Sequence, residues 1–288
     1  MTQTQSEYEP SAIEHARRSF RIQRKRKSTL VAIASTLLFS LIVAIGLVST
    51  PGWERVTESF FNIEVGIEAF PRILEGIWLN LRVLFFTTIS VVVFGLLLAL
   101  LRTLRNPVFF PLRLFAHGYV DFFRGLPLII VLYIVGFGIP GLRLEWLGRI
   151  PVEVLGTVAL TLTYSAYVSE VFRAGIESIH PSQRLAARSL GLSYGKSMRL
   201  VVLPQAIRRV APPLMNDFVA LQKDVGLISV LGAIDAVRGA QIEVATYANF
   251  TPYVLAGILF VLLAIPTVRF TDRISAKLAQ REQSGSAL

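Results

Sequence analysis

Residues 83–105 read VLFFTTISVVVFGLLLALLRTLR. From Val83 to Leu101 no side chain carries a charge, and the run closes on Arg102 and Arg105 before the breaker Asn106-Pro107. A helix of about 20 such residues, rising 1.5 Å each, crosses the ~30 Å hydrocarbon layer of a bilayer. The same alternation of uncharged run and charged boundary recurs along the chain. It gives six expected spans, at 30–49, 77–101, 125–140, 152–172, 210–232 and 252–268. The fold expected is therefore an all-α polytopic membrane protein.

Composition agrees with that reading. Of 288 residues 53% are hydrophobic and 17% are charged, against about 25% charged in an ordinary soluble domain. The absence of cysteine excludes disulfides, thiolate metal sites and cysteine nucleophiles. His15, His117 and His180 stand too far apart for metal-ligand spacing. No carboxylate pair or nucleophile elbow appears, so an enzyme is not supported. No Gly-x-x-x-x-Gly-Lys-Ser/Thr loop is present, so this chain does not bind ATP in that way.

A net charge of +10 could signal nucleic acid, but in a membrane protein positive charge collects on cytoplasmic loops. Seven basic residues lie in 17–27, four in 102–124, seven in 173–209 and four in 269–281, which is 22 of the 29. With six spans all of these fall on one side. Arg55, Arg72, Arg143, Arg149 and Arg238 fall on the other, the short loop of Arg143 also holding Glu145. Both termini are thus expected in the cytoplasm.

The resulting segmentation is a basic cytoplasmic segment 1–29, a first span 30–49, an extracytoplasmic loop 50–76, a main membrane domain 77–270 and a cytoplasmic tail 271–288. The basic start and apolar middle also fit a signal peptide, but the leader is long. The run ends Val48-Ser49-Thr50-Pro51 without a small-residue cleavage site, so an uncleaved span is the reading. Residues 108–123 look like an interfacial helix, with Arg113 and Asp121 among aromatics. The tail, ending in Ser, Gly and Ala, is expected to fray.

The longest polar insertion between spans is 173–209. His180-Pro181-Ser182 ends one helix and begins another, with proline suited to a first turn and serine to an N-cap. A short helix over 183–190 carries Ala186 and Ala187, and Gly191 is placed to end it. Ser193 can cap a second short helix, 194–203, which stops at Pro204. Such a knob of small residues either merely connects two spans or lets a partner approach closely; long loops in compact proteins are uncommon and often functional.

Polar residues inside spans are costly and mark candidate pathway positions. Asn216, Asp217, Lys223 and Asp224 lie on the fifth span, and Tyr167 and Glu170 close the fourth. Asn216 and Lys223, seven apart, share a helical face. That face either borders a pathway or pairs internally to hold helices together. Pro212, Pro213 and Pro266 are expected to kink spans five and six.

The run 166–193, AYVSEVFRAGIESIHPSQRLAARSLGLS, resembles the EAA loop of binding-protein-dependent ABC importer permeases. The run 204–229, PQAIRRVAPPLMNDFVALQKDVGLIS, and the element Phe123-Arg-Gly-Leu-Pro-Leu128 resemble the polar amino acid subfamily of those permeases. The resemblance covers about residues 76–275 and implies a five-helix permease core, here preceded by an extra N-terminal span, in a prokaryotic inner membrane. It implies a partner permease (identical or paralogous), two ABC ATPase subunits that carry the ATP and magnesium, and an extracytoplasmic amino-acid-binding protein. It assigns ATPase coupling to Gly175, Gln183, Ala186, Ala187, Leu190 and Gly191. Asn216, Lys223 and Asp224 match the family's motif, and together with Tyr167, at the end of the fourth span, they are the expected substrate-path residues. Two departures stand out: Leu185 replaces the leading glutamate of the EAA motif, and Val225-Gly226 replaces a Thr-Ser pair. The EAA loop alone also fits permeases of other solutes. A self-sufficient secondary transporter is disfavoured because the 166–229 pattern has no second copy.

Overall fold

A computed structural model describes residues 11–104, 106–144 and 147–285. Arg105, Glu145 and the extreme ends of the two terminal segments lie outside the described residues. Among the described residues every regular element is helical. The chain separates into two compact units, 1–58 and 59–288.

The first unit is dominated by α1, Ala12–Val48, whose N-cap Ser11 accepts from the Glu14 amide. Residues 12–29 of the basic segment and 30–48 of the first span are therefore one unbroken helix of 37 residues, or about 55 Å. None of its most apolar window is buried, as expected of a helix whose solvent is lipid rather than protein. α2, Trp53–Phe60, follows after a turn.

The second unit is built around α3, Ile63–Thr103, and α7, Val152–Glu177. Along α3 the buried positions Ala69, Ile73, Ile77, Leu84, Val91 and Leu98 follow the helical period, so one stripe faces inward. The other side presents Phe85, Phe86, Val93 and Phe94, each more than half exposed. α7 is the central helix: 61% of its apolar window is buried, against 11% for α12, Thr251–Gly285. Val83, Leu84, Leu160, Tyr164, Val168, Leu221 and Ile228 join α3, α7 and the following membrane helix in one core.

The segment 50–76, expected as a loop, is largely helical. Asn62 caps α3 by accepting from the Val65 amide at 3.1 Å, and the Asn62 amide donates to Thr251 Oγ1 at 2.9 Å. Ala69, Ile73 and Ile77 pack against Ala236, Ala240 and Ala256, so tertiary burial carries α3 well beyond its uncharged run.

The third expected span is short. α4, Phe110–Gly125, meets the pair α5, Leu128–Tyr133, and α6, Ile139–Gly141, at 107°. A π turn, Ile134–Gly138, joins α5 to α6. The bend falls on Leu126-Pro127, where Leu126 is extended, as the residue before proline is obliged to be. Leu128–Gly141 spans only ~21 Å, less than the hydrocarbon layer. Among the described residues four helices are long and apolar enough to cross a membrane alone, and up to six crossings result if each of two bent pairs counts as one.

The second short loop helix does not stop at Pro204. α9, Tyr194–Ser197, passes through a π turn, Met198–Val202, into α10, Leu203–Asp224. The Leu203 amide bonds to the Met198 carbonyl five residues back, widening the helix where the proline ring enters. Gln205 Nε2 donates to the Val201 carbonyl at 3.0 Å. Pro212, Pro213 and Pro266 likewise lie inside continuous helices. α10 continues as a 3-10 segment, Val225–Leu231, and ends at Gly232 in the left-handed region. The second bent pair is completed by α11, Ala236–Tyr247. The tail does not fray within the described residues, because α12 runs to Gly285.

Candidate functional site

The insertion between α7 and α10 is a fixed knob. α8, Pro181–Ser189, has proline at its first position and is capped by His180, whose Nδ1 accepts from the Ser182 amide. The expected cap, Ser182, instead pairs its hydroxyl with the same nitrogen at 2.8 Å. At the other end the Leu192 amide bonds to the Ala187 carbonyl and the Gly191 amide to the Arg188 carbonyl. Gly191 sits at φ 78°. This is the Schellman arrangement, and it requires the left-handed conformation that glycine adopts without strain. Ser193 then caps α9 by accepting from the Lys196 amide.

Two arginines pin the knob to its flanking helices, α7 and α10. Arg184 Nη2 donates to the Ile176 carbonyl at 2.6 Å, and Arg209 donates to the Ser178 carbonyl. Beneath them Ile176, Ile179, Val202 and Ala206 form a small apolar core. Gly175 lies inside this joint: a β-carbon there would come within 2.1 Å of Val210 Cγ1. Ala187 is also buried, at 4% exposure. The outward face holds Gln183, Ala186, Leu190 and Gly191, together with Leu185 at 63% exposure. The six residues expected to form a docking surface thus divide into two that shape the knob and four that line its exterior.

On α10 the expected shared face is present. Asn216 and Lys223 are both exposed on the isolated chain. Asp224 turns the other way, and the Tyr164 hydroxyl donates to its Oδ2 at 2.7 Å. The Tyr164 ring lies 6.2 Å from that of Tyr167. The Arg124 guanidinium lies 6.0 Å from the centre of the Tyr167 ring, within cation–π range. The structure therefore joins Tyr167 to Asp224 through Tyr164, while Asn216 and Lys223 stand exposed. Asp217, beside Asn216, leaves Oδ2 buried without a hydrogen-bond partner. It borders a cavity of about 50 Å³ among Thr88, Tyr164, Leu214 and Phe218.

Sequence reasoning missed the ionic centre at Glu170. Its Oε2 accepts from Arg102 Nη1 of α3 at 2.8 Å, its Oε1 pairs with Arg173, and Arg124 of α4 approaches to 4.0 Å. Arg173 also pairs with Glu177. The Arg102 side chain is only 6% exposed, although the residue closes the uncharged run 83–101. A carboxylate in an otherwise uncharged stretch was the available signal, since such a group requires cations nearby. A second missed centre is Asn80, which donates to Asp235 Oδ2 at 3.0 Å and accepts from the Ala236 amide at 3.1 Å. Among the described residues no group of three or more His, Asp or Glu could hold a metal ion.

Comparison with known proteins places these features in a family. Residues 91–280 match the profile described as "binding-protein-dependent transport system inner membrane component". The arginine transport system permease protein ArtQ of Bacillus subtilis (strain 168) is 35% identical over 218 residues, covering 75% of this chain and 96% of that one. The probable glutamine ABC transporter permease protein GlnM of the same organism is 33% identical, with 71% and 92% covered. A chain from a structure described as an amino acid ABC transporter with histidines superimposes with a TM-score of 0.67 at 31% identity, covering 73% of this chain and 96% of its own. With the family profile spanning well over half of its length, this chain belongs to the inner membrane components of binding-protein-dependent transport systems, and its role is that of a transport subunit rather than an enzyme.

Proposed function

We propose that this chain forms the translocation pathway of an ATP-driven importer for polar amino acids. The observation that carries the reading is the knob at 173–209: a rigid two-helix projection, held to α7 by Arg184 and to α10 by Arg209, with Gln183, Leu185, Ala186, Leu190 and Gly191 on its outer face. An ATPase that closes on ATP and magnesium would push this surface as a solid body. Gln183, Ala186, Leu190 and Gly191 make the contact, while Gly175 and Ala187 hold the knob's shape from within. Leu185 offers an apolar side chain where relatives of the motif offer a carboxylate. The restriction to amino acids is supported by relatives named for arginine and glutamine transport.

In this reading segments 1–29, 173–209 and 271–288 are cytoplasmic and 50–76 lies outside, following the segregation of basic residues. The transporting domain is 77–270, with 30–49 as an additional span. Each importer contains a second permease, two ATPase subunits and an extracytoplasmic binding protein. Tyr167, Asn216, Lys223 and Asp224 border the substrate path. The Asn216–Lys223 face, exposed on the single chain, then faces the second permease across the pathway.

The test is reconstitution in liposomes with the cognate ATPase and binding protein. Accumulation of a radiolabelled amino acid should require all three components and ATP. Accumulation by the purified chain alone, driven by an ion gradient, would reject the proposal.

A further inference from the structure

α1 carries seven basic residues over 17–27, and it lies outside the residues that match the family. Arg17, Arg18, Arg21, Arg24, Lys25, Arg26 and Lys27 are all exposed. Glu14, the one acidic residue in α1, pairs with Arg18 at 3.2 Å. The basic run passes into the apolar run without a break in the helix, so the charges stand at set heights above the apolar boundary. Arg21 lies about 10 Å along the axis from Ser28, and Arg24 through Lys27 lie within ~6 Å. The headgroup layer of one leaflet is roughly 5–8 Å thick, and the field of an anionic surface extends about 8 Å further. At least five of the seven cations therefore fall within reach of lipid phosphates.

Their angular distribution selects the partner. Arg24, Lys25, Arg26 and Lys27 are consecutive, and successive helical residues turn by about 100°, so they ring the helix. A folded acidic protein would meet one side of that ring. A lipid annulus meets all of it.

We propose that the segment 17–27 of α1 is an anionic-phospholipid binding collar, which gathers lipids such as phosphatidylglycerol around the first span. The collar rests on α1 crossing the membrane, not on the solute carried. Juxtamembrane cations favour an anionic surface by roughly fivefold each.

The test uses full-length protein excised from native membranes in polymer nanodiscs, with retained lipids quantified by mass spectrometry. The wild-type chain should enrich phosphatidylglycerol over the bulk membrane. Arg21→Gln/Arg24→Gln/Lys25→Gln, which keeps four cations to fix orientation, should cut that enrichment at least threefold. Arg21→Lys/Arg24→Lys should retain it, because the interaction is with charge. Bulk composition around the wild type, equal enrichment around the Gln variant, or loss in the Lys variant would each overturn the collar, as would an acidic protein or nucleic acid held in place of lipid. Gln23→Cys, the only thiol in such a chain, separates the two readings. Labelling by an impermeant maleimide from one face only, with no lipid enrichment, rejects the collar and leaves the span intact.

Discussion

The Tyr164 hydroxyl donates to Asp224 Oδ2 at 2.7 Å, tying the middle of α7 to the last turn of α10. Tyr164 is 7% exposed and belongs to the main core, and Asp224 is half-buried. Tyr164→Phe keeps the ring and strands the carboxylate. A hydrogen bond to a charged group contributes about 1.5–3 kcal/mol, and the variant should lose an amount in that range. A lowered melting midpoint of the detergent-solubilised protein, recovered in part by Tyr164→Phe/Asp224→Asn, checks this. An unchanged midpoint would show that the bond contributes nothing.

Gly76 fixes how closely α3 and α11 approach. A β-carbon at Gly76 would lie 2.3 Å from the Ala236 amide nitrogen, and that nitrogen is held by Asn80 Oδ1. Backbone cannot yield as a flexible side chain does, so Gly76→Ala should cost about 3 kcal/mol or more. The control is Gly118→Ala, where nothing lies within 4 Å of the new methyl group. It should be neutral or slightly stabilising, because alanine suits a helix interior better than glycine. Comparing both by fluorescence-detected size exclusion after heating would sink the argument if the two behaved alike.

These contrasts also show what a sequence carries by itself. Uncharged runs located the membrane helices, and local chemistry located Pro181, Gly191 and Ser193 as punctuation of the knob, because caps depend on neighbours a few residues away. Pro204 misled for the complementary reason. Read locally it ends a helix, but a π turn and the Gln205 side chain carry the helix past it. The early start of α3 was concealed by its charged outer face, although Ala69, Ile73 and Ile77 already recur at helical spacing. The Glu170 centre was least legible, since its cations arrive from α3 and α4 and no local pattern reports which helices will be neighbours.

Glu170 yields a third prediction from its imbalance. One carboxylate faces Arg102, Arg173 and Arg124, and Arg102 is nearly inaccessible to water. Glu170 is 23% exposed and Arg102 keeps a hydrogen bond from Nε to His117 Nδ1, so the loss falls below that of a fully buried pair, at about 1–3 kcal/mol. Glu170→Gln should therefore destabilise the protein measurably, whereas Glu170→Gln/Arg102→Gln should recover part of the loss. A double-mutant cycle on thermal stability measures the coupling. Simple additivity of the two changes would mean that the contact is not an energetic pair.

The knob needs a probe that leaves its shape untouched, and the choice of residue follows from the backbone. Gly191→Arg would add bulk at the contact face, but it would also place a β-carbon at φ 78°, a strain of about 1–2 kcal/mol. Ala186 is exposed, lies inside α8 and has ordinary helical geometry, so Ala186→Arg adds bulk without strain. The prediction is a melting midpoint within about 2 °C of wild type, less than 1 kcal/mol in a chain this size, with ATP-driven uptake in the reconstituted complex reduced at least tenfold. Gly191→Asn, which tolerates the left-handed region, should retain most uptake and so separate backbone strain from surface obstruction. Normal uptake by Ala186→Arg would remove the outer face of α8 from the path by which force reaches the membrane helices.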